Sequence, residues 1–86
     1  MSRLIIDVRE PHEYATGHVE GALNIPPQEI MAGSPQLSNI AKDTELLLYC
    51  KTGNRSKVAM ILLAQQGYTR LKNGINKDQV IARYDV

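Results

Sequence analysis

The most strongly patterned part of the chain is its centre. Leu46-Leu47-Leu48-Tyr49 is an apolar run without alternation, which predicts a strand covered on both faces, as in a parallel sheet between helices. The next seven residues, Cys50-Lys51-Thr52-Gly53-Asn54-Arg55-Ser56, are mostly polar. The period then changes. Val58, Ile61, Leu62 and Gln65 recur at i, i+3, i+4 and i+7. That spacing predicts an amphipathic helix over residues 55–66, with Ala59 and Leu63 widening its apolar stripe. Gly67 stands where such a helix stops.

The flanks carry shorter signals. Leu4-Ile5-Ile6 reads as a buried strand ending at Asp7. Pro11 suits the first turn of a helix over residues 11–16, stopped by Gly17. Residues 22–25 read as a second short strand, closed by Pro26 and Pro27. Pro27 opens a short helix to Met31, and Gly33-Ser34-Pro35 breaks it. A further turn reaches Ala41, with Leu37 and Ile40 at helical spacing, and Lys42-Asp43 is a surface turn. Residues 68–71 read as a last strand, Asn73-Gly74 as a turn, and residues 77–83 as a terminal helix. Strands that alternate with helices predict an α/β fold with a mostly parallel sheet. In such sheets ligands bind at the carboxyl ends of the strands, and Cys50 follows one of those ends.

Composition narrows the function. Residues 1–86 are read as one domain. The chain has no Trp and no Phe, so its core is aliphatic. No apolar stretch approaches the roughly 20 residues of a membrane span, and the first residues lack the apolar segment of a secretion signal. The expected compartment is the cytoplasm, or the periplasm if a signal has been removed. A net charge of +1 argues against nucleic acid as a partner. A monomer away from membranes is expected. One cysteine forms no internal disulfide and has no resolving partner. His12, His18 and Cys50 lack metal-ligand spacing, so no metal is expected.

Cys50 is therefore the candidate nucleophile. A helix N-terminus after the loop carries partial positive charge and aims backbone amides at an anion, which favours the thiolate. Lys51, Arg55 and Lys57 add cationic side chains. Four residues separate Cys50 from Arg55, one fewer than in cysteine-dependent phosphatases. The tighter loop fits a smaller anion, such as the terminal sulfur of a persulfide. Gly53 lets successive amides converge, Ser56 is placed to cap the helix, and Thr52 and Asn54 supply backbone amides. Asp7 and Arg9 are expected to support the site through a hydrogen-bonded turn. Glu10 and Glu13 read as first-turn acids, and His18 as a helix-end residue bonded to backbone carbonyls.

These segments together resemble the rhodanese family. The resemblance rests on Leu4-Ile5-Ile6-Asp7-Val8-Arg9-Glu10, on Tyr14 with Gly17-His18-Val19-Glu20-Gly21-Ala22-Leu23-Asn24-Ile25-Pro26, on the Cys50 loop, and on Gln66-Gly67-Tyr68 with Leu71 and Gly74. It implies a small rhodanese-like fold, with a four- to five-stranded mostly parallel sheet flanked by helices on both faces. It also implies a thiosulfate sulfurtransferase that needs no metal or organic cofactor. Cys50 would take the sulfane sulfur as a persulfide and pass it to cyanide, a thiol or a protein acceptor. Lys51, Thr52, Gly53, Asn54, Arg55 and Ser56 would bind the anionic donor. The alternative is a persulfide carrier or interaction module with little turnover on thiosulfate. Two features depart from the family: the strand and helix that usually precede Asp7 are missing, and Asn73-Gly74-Ile75-Asn76 stands where paired glycines and a tryptophan are more common.

Overall fold

In a computed structural model, which describes residues 3–84, the central apolar run is strand β3, Glu45–Cys50, and every residue of it is buried. It pairs on one side with β1, Arg3–Asp7, and on the other with β4, Arg70–Asn76. The two-residue strand β2, Leu23–Asn24, pairs with the outer side of β1. All three pairings are parallel and the order is β2-β1-β3-β4. The fold is α/β with four parallel strands, within the four to five expected. Met1, Ser2, Asp85 and Val86 of the expected single domain lie outside the described residues.

Side-chain alternation along β3 explains why the run had to be apolar throughout. Leu46, Leu48 and Cys50 point to one face, where they join Ile6, Ile25, Ile30, Ala59, Leu63 and Tyr68. Leu47 and Tyr49 point to the other and pack with Val19, Ala22 and Val80. The first layer is built by α2, Pro27–Met31, and α3, Asn54–Gln65. The second is built by α1, Pro11–Ala15, and α4, Lys77–Arg83. Each fully buried leucine contributes about 2 kcal/mol of transfer free energy.

Three local expectations change. The stripe of α3 is rotated: Ser56, Ala59 and Leu63 are its buried residues, while Val58 and Ile61 are 50% and 53% exposed. The first turn is fixed by the loop before it, which turns Ser56 inward, and small Ala59 then allows close approach to the sheet. Ser56 does not cap α3. Gly53 is the N-cap, in the left-handed region at φ 94°, a conformation that costs other residues about 1–2 kcal/mol.

The last strand is also longer than expected. It starts at Arg70, and Asn73-Gly74 lies within it instead of forming a turn. The register shifts between Leu48 and Tyr49, so that Leu48 faces Asn73 while Tyr49 faces Ile75. Ile75 has φ 74°. The Asn73 side chain takes up the irregularity, because Oδ1 accepts the Ile75 amide at 2.9 Å. Gly74 is required for space, since a Cβ there would meet Val80 Cγ2 at 2.5 Å.

Candidate active site

Strand order changes direction between β1 and β3, and the carboxyl ends of those strands form the crevice where open α/β sheets bind ligands. Cys50 ends β3, while Asp7 ends β1 and is followed by Arg9. Cys50 is only 1% exposed. It nevertheless forms the floor of a cavity of about 220 Å³ lined by Arg9, Lys51, Asn76, Lys77 and Asp78.

The loop closes over the sulfur. The Gly53 amide donates to Cys50 Sγ at 3.0 Å. Ser56 Oγ lies 3.6 Å from the same sulfur. Burial pushes the thiol up, but the Ser56 amide and hydroxyl and the amides of Thr52 and Gly53 outweigh it, leaving Cys50 below the ordinary thiol range. Hydrogen bonds to the charged form favour it, and the Gly53 amide is already oriented toward the sulfur.

The half-buried Arg55 side chain reaches across to α1. Its two terminal nitrogens donate to Glu13 at 2.6 and 3.0 Å. The fork-to-fork geometry of such a pair fixes orientation as well as charge. Glu13 also accepts the Glu10 amide at 3.0 Å in a capping box at the start of α1. The Arg55 bond, then the backbone bond, hold the Glu13 carboxyl down at about 2.

Asp7 is a buried junction. Arg9 donates to it from the backbone, from Nε and from the guanidinium end, with a shortest contact of 2.6 Å. The Tyr49 hydroxyl donates to Asp7 Oδ2 at 2.9 Å and accepts the Val19 amide at 3.0 Å. Burial, together with the bond to Asp7, outweighs the lowering effect of Val19 and pushes the Tyr49 phenol up to about 12. Arg9 donates further to the Gly17 carbonyl at 2.7 Å. His18 stacks on Tyr14 and bonds the Tyr14 carbonyl through Nδ1 at 2.9 Å, at the end of α1.

Of the residues singled out in the sequence, Cys50, Lys51 and Arg9 meet at the cavity. Gly53 and Ser56 are buried beneath the loop, and Thr52 and Asn54 are exposed on it. Three cavity residues were not anticipated: Asn76, Lys77 and Asp78. They follow from the same rule that located Cys50, because they lie at the carboxyl end of β4. The Asn-Gly pair, a strong turn signal, hid the true end of that strand.

The family model described as Rhodanese-like domain matches residues 1–79. The chain belongs to the rhodanese-like domain family. A sulfurtransferase of Allochromatium vinosum is 40% identical over 70 residues, which is 81% of this chain and 63% of that protein. Thiosulfate sulfurtransferase PspE of Escherichia coli is 38% identical over 68 residues, 79% of this chain and 64% of PspE. The chain thus spans less than two thirds of the length of these curated relatives. A solved rhodanese with anions from E. coli shares 32% identity and a TM-score of 0.80, with 91% of each chain covered. The rhodanese-like loop of this chain, Cys50 to Ser56, lies within the matched residues.

Proposed function

We propose that the protein is a thiosulfate sulfurtransferase working through a persulfide on Cys50. The observation that carries this reading is the Gly53 amide aimed at the buried sulfur from 3.0 Å. A sulfur that holds charge in an amide cradle at the floor of a cationic cavity suits attack on a small anionic donor.

The chemistry balances without a cofactor. The Cys50 thiolate attacks the outer sulfur of thiosulfate. The bond between the two donor sulfurs breaks, and its electron pair leaves with sulfite. The negative charge passes to the terminal sulfur of the Cys50 persulfide. Cyanide or a thiolate acceptor then attacks that terminal sulfur, and the electron pair of the persulfide bond returns to Cys50. Arg9, Lys51 and Lys77 on the cavity wall attract the dianion. Thr52 and Asn54 contribute through the loop backbone. Arg55, paired with Glu13, orients the loop. Asp7 supports the site by holding Arg9.

The test is thiocyanate formation from thiosulfate and cyanide. Purified protein should turn over with ping-pong kinetics, and Cys50→Ser and Cys50→Ala should abolish the rate. Donor alone should add the mass of one sulfur atom to the wild type and nothing to either variant. A sulfur adduct without turnover would instead support the carrier reading.

A further inference from the structure

Ser56 Oγ carries a single proton and has three acceptors around it. Asn73 Oδ1 is 2.7 Å away, the Gly53 carbonyl 3.1 Å and Cys50 Sγ 3.6 Å. The Gly53 carbonyl already receives the Lys57 amide at 3.0 Å and Asn73 Nδ2 at 3.1 Å. Two donors occupy its two lone pairs. The contest for the hydroxyl proton is left to Asn73 and Cys50.

The orientation of the Asn73 amide is set by its other bonds. Nδ2 faces the Gly53 carbonyl, and Oδ1 faces the Ile75 amide. A flipped amide would set an NH2 group against an N–H and an oxygen against a carbonyl. Oδ1 is thus the acceptor presented to Ser56. With a neutral thiol, Cys50 S–H can donate to Ser56 Oγ while Ser56 donates to Asn73. With an anionic sulfur, the Ser56 hydroxyl helps only by turning to Sγ, which breaks its shorter bond to Asn73.

We propose that Asn73 and Cys50 compete for the Ser56 hydroxyl proton, so that Asn73 is a positioning residue governing how readily the Cys50 sulfur carries negative charge. Asn73 acts through Ser56 and touches no substrate. The proposal rests on Cys50 being the reactive thiol of the site described above. The charged groups facing that thiol are Arg9, Lys51, Lys77 and Asp78 on the cavity wall and Arg55, neutralised by Glu13, on α3. An uncharged replacement of Asn73 alters none of them.

The experiment is the pH dependence of Cys50 alkylation by iodoacetamide, which needs no sulfur donor and reads out independently of transferase activity. Asn73→Ala removes the nearer acceptor at 2.7 Å and leaves the Gly53 carbonyl, freed of Nδ2, as a more distant one at 3.1 Å, so the titration midpoint should fall, by about half a pH unit. Ser56→Ala should raise it, and adding Asn73→Ala to Ser56→Ala should change nothing further. Asn73→Asp is nearly isosteric and keeps the acceptor. It should raise the midpoint, and by less when combined with Ser56→Ala. An unmoved midpoint in Asn73→Ala overturns the proposal. So does a downward shift that persists without the Ser56 hydroxyl. Should Asn73→Ala fail to fold, an unmoved or lowered midpoint in Asn73→Asp overturns it equally.

Discussion

Arg55 and Glu13, 42 residues apart in sequence, form a two-pronged ion pair that ties the Cys50 loop to helix α1. Arg55 was expected to help bind the anionic donor. Its position in the loop suits that role, but its nitrogens are committed to a carboxylate. The cavity itself is lined by Lys51 and Lys77, together with Arg9, which is braced by Asp7.

Removing this pair should loosen the loop more than it unfolds the chain. Glu13→Gln is expected to cost about 1 kcal/mol or less, as for other partly exposed pairs. The folded carboxyl sits at about 2 against an ordinary 4.5. Because the folded value is the lower one, the contribution is complete above pH 4.5 and is lost as pH falls toward 2. Urea midpoints of wild type and Glu13→Gln, measured across this range, should converge on the acid side.

Tyr49 gives the opposite sign. Tyr49→Phe removes a donor from buried Asp7 and leaves the Val19 amide without its acceptor, at a cost of about 2 kcal/mol. The phenol is raised from 10.0 to about 12. Its contribution is therefore complete below pH 10 and fades as pH climbs toward 12. Thermal denaturation should show a constant deficit in Tyr49→Phe from pH 6 to 9 that shrinks in strong alkali.

Gly74 tests the packing beneath β4. Gly74→Ala places a methyl against Val80 and the Leu48 carbonyl, and should cost about 1–3 kcal/mol. Val80→Ala removes the shorter of the two clashes. In the double variant the two losses should sum to clearly less than the separate ones, as read from denaturant midpoints.

The rotation of α3 predicts a contrast along one helix. Val58→Lys and Ile61→Lys change half-exposed positions and should stay within about 0.5 kcal/mol of wild type. Leu63→Ala should cost about 2–5 kcal/mol, because Leu63 is fully buried between α3 and the sheet. Comparable losses at all three positions would contradict the observed orientation.

The sequence by itself determined the alternation of strands and helices, the parallel sheet, and Cys50 as the thiol at its carboxyl edge. These are local matters: an unbroken apolar run, prolines and glycines at element ends, and a cysteine between strand and helix. It did not determine which way α3 faces, because Val58 and Ile61 are as apolar as the residues that turned inward. Nor did it reveal the pairing of Arg55 with Glu13, the arrival of Lys77 at the cavity, or the amide of Asn73 beside Ser56. Each joins segments remote along the chain, and only the stacking of helices on the sheet brings them within hydrogen-bonding distance. Asn73-Gly74 shows the limit most clearly, since its local preference for a turn lost to the ladder with β3 and to the bonds its side chain makes beneath the loop.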